Sequence, residues 1–200
     1  MADSTNLPVD FYFDPSCPWT WVSSRWLDEA AAQRRLDVRW RPISLLLKNG
    51  DDTPAEKREQ SELGLAAARI AVAVERAGGN ADLAAFYAAF GASNFGDDRA
   101  ADLSAALAKA GIDARLAAAA SDQSLDAVLE SHAVDAEKMA GPDAGSPVLA
   151  IEELGRGAFG PVLSEVPAGP AAGALWDHVV ALLGMPEFYE LTMERRSPPH

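Results

Sequence analysis

The spacing of apolar positions changes several times along the chain. Val9, Asp10, Phe11, Tyr12 and Phe13 form a short aromatic and β-branched run that stops at Asp14, Pro15 and Ser16, which is the pattern of a strand closed by a turn. From Pro18 the period lengthens. Trp19, Val22, Trp26, Leu27 and Ala30 recur at threes and fours, giving one apolar face of a helix that reaches about residue 35. Val38, Arg39 and Trp40, ended by Pro42, give a second strand. Strand, helix and strand in about thirty-five residues make a βαβ unit with parallel strands.

The middle of the chain keeps the helical period. Thr53, Pro54, Ala55 and Glu56 read as a helix start, with a capping hydroxyl, proline at the first position and an acid in the first turn. Leu63, Ala67, Ile70 and Val74 carry that helix to Gly78 and Gly79. Further helices are expected over residues 81–90, 101–110, 114–120 and 124–139, all rich in alanine and free of proline. Strand signals return after Gly141 and Pro142. Gly145, Ser146 and Pro147 lead into a strand over residues 148–151. A glycine-rich turn over residues 155–160 then leads to a second strand at Pro161, Val162 and Leu163. A helix over residues 171–183 follows, with a shorter one after Pro186. The order β-α-β, helical block, β-β-α predicts an α/β chain and resembles a thioredoxin-like fold with an all-helical insertion. Residues 1–52 and 140–200 would form the thioredoxin-like part. Residues 53–139 would form the insertion, packed as a lid over one end of the sheet.

Composition narrows the function. Two hundred residues suffice for one core with an inserted subdomain, not for two full domains. A net charge of −13 argues against nucleic acid and against anionic lipid as partners. No apolar run approaches a bilayer span, and residues 1–10 lack the basic and apolar regions of a secretory signal, so no membrane role is expected. Cys17 is the single cysteine, which excludes a disulfide framework and a cysteine-rich zinc site and points to a reducing cytoplasm. His132, His178 and His200 show no ligand spacing, so no metal site is expected. The glycines near Gly155 and Gly160 do not have the spacing of a phosphate loop.

A lone cysteine in a globular chain is ordinarily a small buried hydrophobe. Cys17 has a different setting. It stands where the first strand hands over to the first helix, and the unpaired N–H groups and positive dipole end of a helix start favour thiolate over thiol. Pro18 takes the first helical position, where its missing N–H costs nothing. Thr20 can turn its hydroxyl toward the sulfur, while Trp19 and Trp21 can wall a pocket. Ser146 and Pro147 open a later strand, and the thioredoxin-like resemblance implies that this proline loop lies against the cysteine and offers main-chain groups to an extended thiol ligand.

These residues together resemble the DsbA-like branch of the thioredoxin superfamily, and within it the mycothiol-dependent nitroreductase family. The likeness rests on Asp10 to Trp19, then Trp21, Ser24, Arg25, Trp26, Ser131 and His132. Later blocks are Gly145 to Val148, Gly160 to Ser164, Ala172 to Asp177 and Phe188 to Leu191. The resemblance implies a cytoplasmic, dimeric thiol-redox enzyme without a tightly bound cofactor. Mycothiol or another small thiol would be its cosubstrate, acting on a small electrophile or disulfide. It also implies Cys17 as nucleophile, Pro147 as a cis-proline and Asn49 as a pocket residue. The family commonly has a second cysteine where this chain has Thr20, and often a histidine in the insert that residues 93–98 lack. With Thr20 there, turnover would be monothiol: Cys17 forms a mixed disulfide that a second small thiol releases. Two alternatives fit a single cysteine. One is a thiol-dependent isomerase of the 2-hydroxychromene-2-carboxylate kind; the other is a non-catalytic protein whose Cys17 senses redox state or lines a ligand groove.

Overall fold

A computed structural model describes residues 6–96 and 101–199; the readings that fall on residues 1–5, on Asp97 and Asp98, and on His200 lie outside the described residues. Strand β1 (Leu7–Phe13) leads into helix α1 (Pro18–Arg34), which returns through β2 (Leu36–Pro42). Helices α2 (Leu45–Asn49), α3 (Arg58–Gly78), α4 (Asn80–Phe95), α5 (Leu103–Lys109) and α6 (Asp126–Ala140) come next. Strands β3 (Val148–Ile151) and β4 (Arg156–Phe159) and helix α7 (Pro170–Leu183) complete the fold. The sheet order is β2-β1-β3-β4. β1 runs parallel to β2 and antiparallel to β3, and β4 pairs antiparallel with β3. This is the α/β arrangement expected, with a helical block between the two halves of the sheet.

Alternation along β1 separates two cores. Val9, Phe11 and Phe13 share one cluster with Trp26 and Leu27 of α1, Ile70 and Val74 of α3, Phe86 and Tyr87 of α4, and Trp176 of α7. Tyr12 joins Val148, Ala150 and Ala136 of α6 in a second cluster on the opposite face. The helical block and the sheet therefore share buried surface. Trp40 and Trp26 lie in the core as expected. Trp40 meets Phe11 edge-on at 5.4 Å, and Trp26 donates its indole N–H to the Ala172 carbonyl at 3.1 Å. Trp176 packs 6.4 Å from Trp26, so it fills the seam between α1 and α7. β2 lies at the sheet edge, and Asn80 covers part of that edge. Its carboxamide accepts from Trp40 N at 2.8 Å and donates to the Val38 carbonyl at 2.7 Å, standing in for a neighbouring strand.

Four local expectations change. The glycine-rich segment is itself the second hairpin strand, Arg156–Phe159, and Pro161 to Leu163 form no strand. The connection is a short 3-10 turn, Glu152–Leu154, ending at Gly155 with φ 61°. Gly157 is needed by packing, since a β-carbon there would lie 2.9 Å from the Leu149 carbonyl oxygen and 3.1 Å from Met139 Cβ. Thr53 does not cap a helix. A 3-10 turn, Ala55–Lys57, precedes α3, and Pro54 rather than Thr53 stands at its cap position. Residues Ala114–Ser121 wind as 3-10 rather than α-helix. No helix follows Pro186. Arg156 instead donates to the carbonyls of Leu183, Met185 and Phe188 and fixes the chain leaving α7.

Candidate active site

Cys17 is the N-cap residue of α1, with Pro18 at the first helical position. The turn before it is held by Asp14, only 2% exposed. The Asp14 carboxylate accepts from Ser16 N at 2.7 Å, Ser16 Oγ at 2.6 Å and Leu45 N at 2.6 Å, tying the Cys17 turn to α2. Burial pushes the Asp14 carboxyl above its usual range, against the pull of the donors on Ser16 and Leu45.

Ser146 joins the two halves of the site across 129 positions of sequence. Its hydroxyl accepts from Asp14 N at 2.8 Å and shares a 2.8 Å hydrogen bond with Thr20 Oγ1, while its carbonyl accepts from the Cys17 thiol at 3.6 Å. With Ser146 donating to Thr20, the Thr20 proton is free to face the sulfur. The Ser146–Pro147 peptide is cis. Both residues lie buried behind the sulfur, and neither lines the cavity in front of it. The Pro147 carbonyl accepts from Gly160 N at 2.8 Å. Of the main-chain groups, the Ser146 carbonyl thus meets the Cys17 thiol and the Pro147 carbonyl meets the hairpin.

Burial pushes the Cys17 thiol above its ordinary value. The Thr20 hydroxyl and the Thr20 and Trp19 amides pull it down, and the nearby Asp14 carboxylate pushes it up again. Part of the Cys17 surface stays open to solvent, but protein crowds the sulfur on its other sides. The lowered value expected from the helix start is therefore outweighed by desolvation.

A cavity of about 500 Å³ opens in front of the thiol. Cys17, Pro18, Trp19 and Asn49 line it, and so do Thr53, Lys57, Gln60 and Ser61, which the sequence did not place at the site. Thr53 Oγ1 is buried there without a hydrogen-bond partner among the described residues. Trp21 is placed elsewhere. Its ring turns to the far side of α1, edge-on to Tyr87 at 5.8 Å and stacked on Phe95 at 6.2 Å, where the bare Gly91 backbone leaves room for it. The Arg25 guanidinium covers that ring at 4.4 Å. His132 is also outside this cavity. Its Nδ1 lies 2.9 Å from the Pro42 carbonyl, and burial lowers its pKa.

Lys48 was also not singled out in the sequence. Its ammonium donates to the Ala144 carbonyl at 2.6 Å and pairs with Glu137 at 2.6 Å, binding α2 to the loop that carries Ser146. Gly64 was missed for the same reason, since only the packing of α3 on the Cys17 turn makes it matter. Among the described residues no group of acids, cysteines and histidines could hold a metal ion. No helix among them is long and apolar enough to cross a membrane.

Residues 16–193 match the Rv2466c-like family, described as mycothiol-dependent nitroreductase Rv2466c. The chain belongs to that family. An uncharacterised protein of Mycobacterium tuberculosis, Rv2286c, is 33% identical over 189 residues, covering 92% of this chain and 80% of that protein. Two solved structures share the fold. One is a probable DsbA oxidoreductase from Streptomyces coelicolor, with TM-score 0.57 and 16% identity, covering 96% of this chain and 95% of the other. The second is the cytosolic disulfide reductase DsbM from Pseudomonas aeruginosa, solved with GSH. It has TM-score 0.55 and 21% identity, covering 88% of this chain and 97% of the other. The fold is the DsbA-like thioredoxin fold, in a family whose described member is a thiol-dependent redox enzyme.

Proposed function

We propose that the protein is a monothiol oxidoreductase that turns over through one mixed disulfide between Cys17 and a small thiol. The family description points to mycothiol as that thiol. The observation that carries this reading is the only sulfur nucleophile of the chain, at a helix start and against the Ser146 carbonyl, facing a cavity large enough for a small molecule. Thr20 hydrogen-bonds to Ser146 beside it, at the position where a dithiol site would have its second sulfur.

The Cys17 thiolate attacks one sulfur of a disulfide R–S–S–R′. The Cys17–S–S–R bond forms, and R′–S⁻ leaves with the electron pair and takes a proton from solvent. A small-thiol thiolate then attacks the sulfur of R. The new disulfide departs, and Cys17 returns as thiolate, so the small thiol is oxidised and R′ is reduced. A thiol raised by burial favours the bonded sulfur over the free thiolate, which makes the mixed disulfide the longer-lived state. Thr20 positions the sulfur and Trp19 walls the entry. Asn49, Gln60 and Ser61 give the cavity a polar wall suited to a hydroxyl-rich sugar thiol. A single-cysteine chain suits a reducing cytoplasm, where such a thiol is kept reduced.

Intact mass tests the reading. Mycothiol disulfide should add one mycothiol to the wild-type chain, free mycothiol should remove it, and Cys17→Ser should take up none. Absence of an adduct at a pH where Cys17 is readily alkylated would overturn it.

A further inference from the structure

The Cys17 cavity has a charge opposite to that of the molecule around it. The chain carries a net charge of −13, yet none of the described residues that line the cavity is acidic, and Lys57 is one of them. Among the described residues no carboxylate pairs with Lys57, whereas Lys48 is neutralised by Glu137 and Lys138 by Asp135. A second cation arrives from the other end of the chain. The guanidinium of Arg195 lies 5.0 Å from the centre of the Trp19 ring, and Trp19 lines the same cavity. Arg195 also pairs with no carboxylate among the described residues, although its neighbour Arg196 pairs with Glu194 at 3.6 Å.

An exposed lysine on an acidic protein is ordinarily a solvated charge. Lys57 differs in where it stands. The acids near it in sequence, Asp51, Asp52, Glu56 and Glu59, are exposed and do not line the cavity. Salt screens them over about 8 Å, whereas an anion inside the cavity meets Lys57 at short range. Lys57 lines the cavity that holds the nucleophile, and Arg195 stands over Trp19, which lines it too, while no acid does so among the described residues.

We propose that this site selects substrates carrying a carboxylate or an equivalent anion beside the disulfide or electrophilic centre. Lys57 pairs with the anion while Cys17 attacks, and Arg195, held over the Trp19 ring, adds a weaker attraction from farther away. The inference rests on Cys17 acting as the thiol nucleophile and adds the class of its second substrate.

Two aromatic disulfides test it by single-turnover release of their chromophores. One is the dianion 5,5′-dithiobis(2-nitrobenzoate), and the other is the neutral 2,2′-dithiodipyridine. The quantity read is the ratio of their rates with Cys17, which cancels any general change in the reactivity of the sulfur. Lys57→Gln should lower the anionic-to-neutral ratio roughly fivefold, the scale of one partly solvated ion pair. Arg195→Gln should lower it less, and added salt should shrink the wild-type preference. Lys109→Gln on α5, which removes the same charge away from the cavity, should leave the ratio as it was. An unchanged ratio in Lys57→Gln, or an equal fall in Lys109→Gln, would overturn the anionic-substrate inference and leave the thiol chemistry standing. A wild-type Cys17 that reacts with neither disulfide would instead sink the thiol reading, and this inference with it.

Discussion

Gly64 on α3 lies so close to Ser16 that a β-carbon at position 64 would stand 2.5 Å from Ser16 Cβ and 2.9 Å from Ser16 N. Ser16 is the residue before the nucleophile, and its amide and hydroxyl both donate to Asp14. Gly64→Ala should therefore displace the Cys17 turn itself. The expected result is a loss of stability of about 1–3 kcal/mol and slower alkylation of Cys17 at fixed pH. Adding Ser16→Gly removes the nearest of the clashing atoms and should recover part of both losses, as read by chemical denaturation and iodoacetamide kinetics.

Thr20 is the residue that separates this site from a dithiol one. Thr20→Val removes one of the two partners of Ser146 Oγ, leaving Asp14 N, and takes away the hydroxyl that draws the Cys17 thiol down. Stability should fall by about 1–2 kcal/mol, and alkylation at neutral pH should slow further. Thr20→Cys should act in the opposite sense on turnover. A mixed disulfide at Cys17 would then be released by the new thiol without a second small-thiol molecule, leaving an oxidised chain two mass units lighter than the reduced one.

The strand–helix–strand start, the helical block and the proline-led return to the sheet were all legible, because each follows from local period and local breakers. Cys17, Pro18 and Trp19 stand at a strand-to-helix junction that the local pattern marks, whereas Asn49 on α2 was offered by the family resemblance alone. Contacts between distant segments were not legible. Trp21 has the same aromatic character as Trp19, but two residues on along α1 its ring faces α4, where the bare backbone of Gly91 makes room for it beside Tyr87 and Phe95. Gly155, Gly157 and Gly160 look alike in sequence, yet Gly157 sits within β4 because α6 and β3 leave no space for a side chain. Lys57 reads as one more surface charge until the cavity it lines is seen.

The pH dependence of Cys17 follows from the direction of its shift. Burial raises the thiol pKa, so the thiolate is scarce at neutral pH and its fraction keeps growing past the ordinary cysteine range. Alkylation rate should therefore still be rising above pH ~8.5, where an unperturbed thiol begins to level off. A plateau reached below pH ~7 would show that the helix start and Thr20 outweigh desolvation.

Asp14 gives a second pH test, of stability rather than reactivity. Its folded carboxyl is raised above the unfolded value of about 3.9. Between those two values the folded state binds the extra proton, so stability falls as pH climbs through that window and the favourable contribution lies on the acid side. Asp14→Asn removes the titration but offers one oxygen where three donors, two from Ser16 and one from Leu45, converge. The variant should be less stable than wild type by about 1–3 kcal/mol, with the gap narrowing from pH 4 to pH 7 as the wild-type carboxylate ionises. Denaturant midpoints at both pH values measure the gap. A gap that widens toward pH 7 would mean that the three donors hold the carboxylate ionised despite its burial.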